Sequence, residues 1–252
     1  MTKKYGLTDE TITRFGRTLY RIKALVSFGN VNEGDKGGFV EKEENLNQEG
    51  NAWVSGNAWV YGDARVSGNA WVYGDARVYG DARVYGDAEV FGYAWVYGDA
   101  RVYGDARVYG YAEVYGYAWV YGDARVSGDA RVYGYAEVYG NAWVYGDARV
   151  YGYAEVYGNA RVSGDARVYG DAWVSGNARV SKRIEIIWIS NIGSENGTLT
   201  VTRSKDGGLF LTRGCFSGDL SKFENAVEQT HGDSQYGKEY KALIEYIKLR
   251  FA

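Results

Sequence analysis

The sequence predicts a mostly-β chain: a left-handed parallel β-helix with an N-terminal β cap and a small C-terminal α+β module. Three observations carry this expectation. A six-residue unit, [N/D/Y]-A-[W/R/E]-V-[Y/S/F]-G, runs without a gap from Asn51 to Lys182 as 22 successive hexads, and only the last lacks its glycine. The chain has 36 Gly and no Pro, yet it is rich in Tyr and Trp, unlike Gly-rich disordered segments. After Lys182 the six-residue period disappears.

Each hexad reads as a short strand and a corner. Ala and Val alternate with the variable residues, so they share one face while the third and fifth positions share the other. The Gly-[N/D] pair reads as the corner, since both residue types tolerate a left-handed backbone. Strands that all carry the same inward pair do not suit a hairpin meander, but they can coil. Three hexads close one turn, and turns stack about 4.7–4.9 Å apart. The hexads then give about seven regular coils and a column roughly 35 Å tall. Left-handed coiling of parallel strands departs from the usual right-handed crossover.

Residues 1–50 read as the cap and the irregular first coils. Thr11–Leu25 reads as a hairpin around Gly16–Arg17, with Phe39, Val40 and Leu46 as core positions of the first coils. Gly29–Gly38 is Gly-rich but lacks the Lys-Ser/Thr ending of a phosphate loop, so it reads as a cap turn. Residues 183–252 read as three strands (RIEIIWIS, GTLTVTRS, GGLFLTRGCF) and two amphipathic helices, the second with an apolar stripe of Tyr240, Leu243, Ile244, Ile247 and Phe251.

The hexads resemble those of the hexapeptide-repeat superfamily, which includes many acyltransferases. The lead-in Lys23–Val54, above all GDKGGFVEKEENL at Gly34–Leu46, resembles a group of bacterial and phage hexapeptide proteins labelled transferases or polymer-like repeat proteins. Residues after Lys182 resemble a tail on other phage and prophage repeat proteins. The resemblance implies side-by-side packing as a homo-oligomer, a trimer or dimer. It also implies a phage or prophage setting, in which inhibition of a host defence protein is one role.

Acyltransferases of this fold use a histidine as general base, and carbonic anhydrases of this fold hold a metal with histidines. The single histidine, His231, lies outside the hexads and reads as a helix C-terminus beside Gly232. The hexads also lack inserted loops that would build an acyl-CoA cleft. A nucleophilic Cys215 would need a histidine partner, and the residue reads instead as a buried structural thiol. Asp63, Asp75, Asp81 and their repeats read as solvated corners rather than a calcium ladder, because Arg and Asn are interleaved with them. The expectation is a protein without catalytic activity, cofactor or metal.

The net charge of −3 gives no basic footprint for nucleic acid or an anionic membrane. The N-terminus lacks an apolar leader, and Ile184–Ile189 is too short to span a bilayer. The expected location is cytoplasmic.

A coil of three hexads assigns the variable positions to faces. The third hexad position reads Trp53, Trp71, Glu89, Arg107, Arg125, Trp143, Arg161, Arg179 on the first face. On the second it reads Trp59, Arg77, Trp95, Glu113, Arg131, Arg149, Arg167, and on the third Arg65, Arg83, Arg101, Trp119, Glu137, Glu155, Trp173. Trp71, Trp95, Trp119 and Trp143 recur every four hexads while the coil closes every three, so they spiral round the column. The fifth position aligns one uninterrupted column on the second face: Tyr61, Tyr79, Tyr97, Tyr115, Tyr133, Tyr151 and Tyr169. This column is the candidate binding site, an exposed aromatic patch for a protein partner, with ladder stacking as the purely structural alternative. Two other readings are a carbohydrate- or nucleotide-binding module and, without a histidine in the hexads, an acyltransferase.

Overall fold

A computed structural model describes residues 3–252. The hexads form a β-solenoid of about eight turns. Each contributes one two-residue strand, from β4 (Trp53–Val54) to β25 (Arg179–Val180). Every pairing among these strands is parallel and displaced by one coil of three hexads, as in Glu89 beside Arg107 and Val90 beside Val108. The strands therefore sort into three sheets, and the face assignments above hold residue by residue.

The interior is monotonous. Every hexad Ala and Val is buried and together they make one continuous core. Val is β-branched and fits the pleated wall. Ala occupies the inward corner position, where the next wall approaches.

The corner differs from expectation in one respect. Each hexad glycine from Gly56 to Gly176 has a left-handed backbone, but no Asn or Asp after it does. The left-handed conformation is therefore needed at one corner residue, not two. That is why Tyr can stand at the second, as in Tyr93 and Tyr135. At Gly104 φ is +70°, and an added Cβ would lie 2.9 Å from the Gly122 nitrogen one coil above.

Both open edges are covered. At the bottom, β1 (Tyr5–Arg14) and β2 (Arg17–Ala24) form an antiparallel hairpin that pairs with β3 (Lys36–Val40), and β3 joins the second sheet in parallel through Phe39–Trp59 and Val40–Val60. The hairpin turn is Phe15–Gly16, both left-handed, one residue earlier than the sequence suggests. The hairpin is also longer at its N-terminal end. Phe39, Val40 and Leu46 are buried core residues as expected. Buried polar groups plug the first coil: Lys4 Nζ donates to the carbonyl of Ala52 at 3.0 Å, and Asn45 Nδ2 to that of Ala64 at 2.8 Å. Burial lowers the Lys4 ammonium to about 8.

At the top, the chain after the solenoid forms four antiparallel strands rather than three: β26 (Ile186–Ile192), β27 (Gly197–Arg203), β28 (Leu209–Arg213) and β29 (Phe216–Gly218). The expected third strand is split by a turn at Gly214–Cys215, which leaves Cys215 exposed instead of buried. Helices α1 (Leu220–His231) and α2 (Gln235–Arg250) cover one face of this sheet, with Tyr240, Ile244, Ile247 and Phe251 buried and Leu243 packed against them. The other face closes the column. The Thr200 hydroxyl accepts from the Trp173 amide at 3.0 Å, and the Thr212 hydroxyl donates to the Trp173 carbonyl at 2.9 Å. These buried hydroxyls satisfy backbone groups that would otherwise offer a free edge.

Two outcomes check this architecture. Gly104→Ala lowers the guanidinium unfolding midpoint by the equivalent of at least about 1 kcal/mol, from the left-handed backbone alone, while Asp105→Asn stays within about 0.5 kcal/mol. A chain cut after Lys182 self-associates through its uncovered last coil, seen as a concentration-dependent rise in scattering mass that the full chain lacks.

Candidate functional site: aromatic ladders and a third-face groove

The seven second-face tyrosines form an unbroken stack. Successive ring centroids from Tyr61 to Tyr169 lie 4.8–4.9 Å apart and nearly parallel. The distance is the coil rise, so the rings inherit their spacing from the backbone. Phe15 of the hairpin stacks below Tyr61, and Trp188 of the C-terminal sheet meets Tyr169 edge-on at 4.3 Å. The ladder therefore joins both caps.

It is less exposed than the sequence suggests. Of the seven, only Tyr169 is exposed and the others are half-buried. Burial raises the phenols of Tyr61, Tyr79, Tyr97, Tyr115 and Tyr151, that of Tyr79 to about 12. On the third face Tyr85, Tyr103, Tyr121, Tyr139 and Tyr157 stack in the same way. Burial pushes Tyr121 and Tyr139 well up, helped by hydrogen bonds to Glu137 and Glu155. Where Ser127 interrupts the first-face column, Trp143 covers it: its indole N–H donates to the Ser127 hydroxyl at 3.1 Å.

The exposed rings are elsewhere. Tyr93 and Tyr111 stack at the corner before the second face, and Tyr117, Tyr135 and Tyr153 at the corner before the third. Tyr135 and Tyr153 are 52% and 64% exposed. Sequence reasoning marks Tyr as a variant of the corner position but does not follow it by coil. The signal is there, since Tyr117, Tyr135 and Tyr153 each stand one coil apart.

Charge explains where these corner tyrosines fall. Asp at the corner typically precedes Arg two residues later, a locally neutral unit, as in Asp147–Arg149 and Asp165–Arg167. Tyr stands at the corner only where the next outward residue is Glu or Trp, never Arg. Asp beside Glu adds like charges on one edge, and the one such corner, Asp87 before Glu89, has Arg107 on Glu89 from the coil above.

The outward columns are otherwise well paired. Arg77 lies 4.5 Å from the Trp59 ring and 4.9 Å from that of Trp95, the sandwich that the face assignment places there. Glu89 and Glu113 each accept a Tyr hydroxyl on Oε2 and face an arginine from the coil above on Oε1, at 3.5 and 3.4 Å. Glu137 and Glu155 likewise accept the hydroxyls of Tyr121 and Tyr139, at 2.9 and 2.8 Å, but stack on each other rather than beneath an arginine. They lie in a groove on the upper third face with Tyr135, Tyr153, Trp173 and Asp171, of about 450 Å³.

His231 ends α1 beside Gly232, as expected, and its ring stacks on Tyr240 at 5.4 Å. Asp63, Asp75 and Asp81 are exposed corners, Asp63 paired with Lys42. Among the described residues no group of three or more His, Cys, Asp or Glu is placed to hold a metal ion. No helix among them is long and apolar enough to cross a membrane.

The family model described as the YdcK beta solenoid repeat matches residues 58–74, 76–92, 100–116, 118–140, 154–170 and 160–176. The segments starting at 58 and 76, and those starting at 100 and 118, are offset by one coil of the column. The chain is a repeat β-solenoid protein similar to that family. A comparison with curated proteins gives no match. The YdcK-type segments fall wholly within the coils, so the likeness concerns the column and not its caps.

The ladder phenols give a pH signature. The folded pKa values of Tyr61, Tyr73, Tyr79, Tyr97, Tyr103, Tyr115, Tyr121, Tyr139 and Tyr151 lie above the unfolded value near 10, with Tyr73 and Tyr79 at about 12. Between pH 10 and 12 the unfolded chain has lost phenol protons that the folded chain retains, so stability falls as pH rises. The expected outcome is full stability below pH 10 and a steep alkaline unfolding above it, with phenolate absorbance and circular dichroism changing together.

Proposed function

We propose that this protein is a non-catalytic interaction scaffold, a rigid column that presents aromatic rungs to a protein partner. The observation that carries the reading is the stack of exposed rings Tyr117, Tyr135 and Tyr153 beside Trp119 and Trp173. Solvated aromatic rows of this kind mark contact surfaces, and tyrosine suits them through its rigid ring and polar tip. Asparagine serves at equivalent corners, as at Asn141 and Asn159, so the corner itself does not require these rings. The seven-rung second-face ladder, bound to both caps, supports the stiffness of the column more than a contact.

Self-association would be lateral, because both ends are covered; a dimer or trimer of parallel columns is the expected form. The resemblance of the lead-in and tail to phage and prophage repeat proteins supports a host cytoplasmic protein as partner, a defence protein among them. The C-terminal module supplies a second contact, through Tyr236, Tyr246 and Leu249 on the exposed side of α2.

Capture from host lysate tests this reading. The full chain retains a protein in stoichiometric amount. Tyr117→Asn, Tyr135→Asn and Tyr153→Asn together abolish retention while leaving the circular dichroism and unfolding midpoint unchanged. A full chain that captures nothing and sediments as a strict monomer at high concentration overturns the proposal. So does one that binds only glycans or nucleotides.

A further inference from the structure

We propose that the upper third face is a docking site for arginine side chains of a basic segment in a protein partner. This rests on the scaffold reading above and names the chemistry of one contact.

The reasoning is internal to the column. Four glutamates occupy outward positions, and each accepts a tyrosine hydroxyl on Oε2. In the two lower ones the coil above places an arginine on Oε1. The Trp-Arg-Arg-Glu order puts an arginine three hexads, or one coil, after each Glu, but after Trp143 only Arg149 precedes the next Glu, so Glu137 is followed in its column by Glu155 and then Trp173. Among the described residues neither carboxylate has a cation within 4.0 Å, and neither Oε1 carries a hydrogen bond. Two like charges paired in register are unfavourable until a counter-charge is supplied.

No cation among the described residues comes within 4.0 Å to supply it. The corners before these rungs are Tyr135 and Tyr153 and those after are Asn141 and Asn159, all uncharged. Asp171 adds a third negative charge at the groove's upper end. Arg213 lines that end, but its Nη2 donates to the Ile192 carbonyl at 2.9 Å. The unpaired arginines of the second face differ, since Asp147 and Asp165 stand at their own corners.

The surroundings suit a guanidinium in particular. Trp119 below and Trp173 above close the column of outward residues, and the corner tyrosines wall one side. A guanidinium binds carboxylates through its fork of donors and lies flat on aromatic rings. The chain already uses both contacts: Arg131 on Glu113, and Arg101 at 5.0 Å from the Trp119 ring one coil below Glu137. An arginine from outside would reproduce at Glu137 and Glu155 what the lower coils provide for themselves.

The test titrates the full chain by calorimetry with a short capped peptide carrying a pair of arginines, and with the same peptide carrying citrulline. The arginine peptide binds, binding weakens with salt, and Glu137→Gln with Glu155→Gln lowers affinity about tenfold or more, whereas Glu89→Gln leaves it unchanged. Equal binding of the citrulline peptide, or an unchanged affinity in the double variant, overturns the inference. Self-association of the full chain that the double variant abolishes also overturns it, by making a second copy the occupant. Partner capture without arginine binding leaves the scaffold reading standing and this inference refuted. Arginine binding in a chain that captures no protein gives the reverse.

Discussion

The constraint on which the rest depends is the in-register stacking of identical corners. A hexad closes only if Gly takes a left-handed backbone and its Cα lies against the glycine one coil above, with no room for a Cβ. Once that contact repeats, each inward Ala and Val lands on its counterpart in the next coil, and every outward side chain has a fixed neighbour at the coil rise. The core has no design beyond repetition. Its stability grows coil by coil, as in other stacked-repeat proteins.

Repetition of the backbone imposes repetition on the surface, and there it can help or harm. Identical aromatics stacked at 4.8–5.1 Å gain contact, and the tyrosine columns exploit this on all three faces and two corners. Identical charges stacked at the same spacing repel. The hexads limit the repulsion by setting Asp beside Arg, by interleaving Arg with Trp, and by seating Arg above Glu. The upper third face is where these devices lapse together, which singles it out on an otherwise balanced column.

Ends are the general weakness of a solenoid, since an uncovered coil is a free edge. Both caps here use polar side chains to satisfy the terminal backbone, Lys4 and Asn45 below and Thr200 and Thr212 above. The caps also extend the second-face ladder by one aromatic at each end, Phe15 and Trp188. A column sealed in this way is a finite rod whose faces and corners are its contact surfaces.

The sequence by itself determined the column: the six-residue period, the buried Ala and Val, the three faces and the seven-tyrosine stack all follow from counting. It succeeded there because strand alternation and coil closure are local and repeated, so each hexad confirms the next. It failed where a single contact decides. The split of the last strand at Gly214 exposes Cys215, and nothing local marks that turn against a longer strand. The covering of the end coils depends on hydroxyls far apart in the chain. The candidate site was half legible, since Glu137 and Glu155 were placed on one face by number alone. Only the tertiary structure decided that the second-face ladder is half-buried while the corner rings are open, because exposure depends on how far the corner swings each ring from the wall. It alone decided that no other cation comes within 4.0 Å of those two carboxylates, because that depends on side chains brought in from other faces and from the cap.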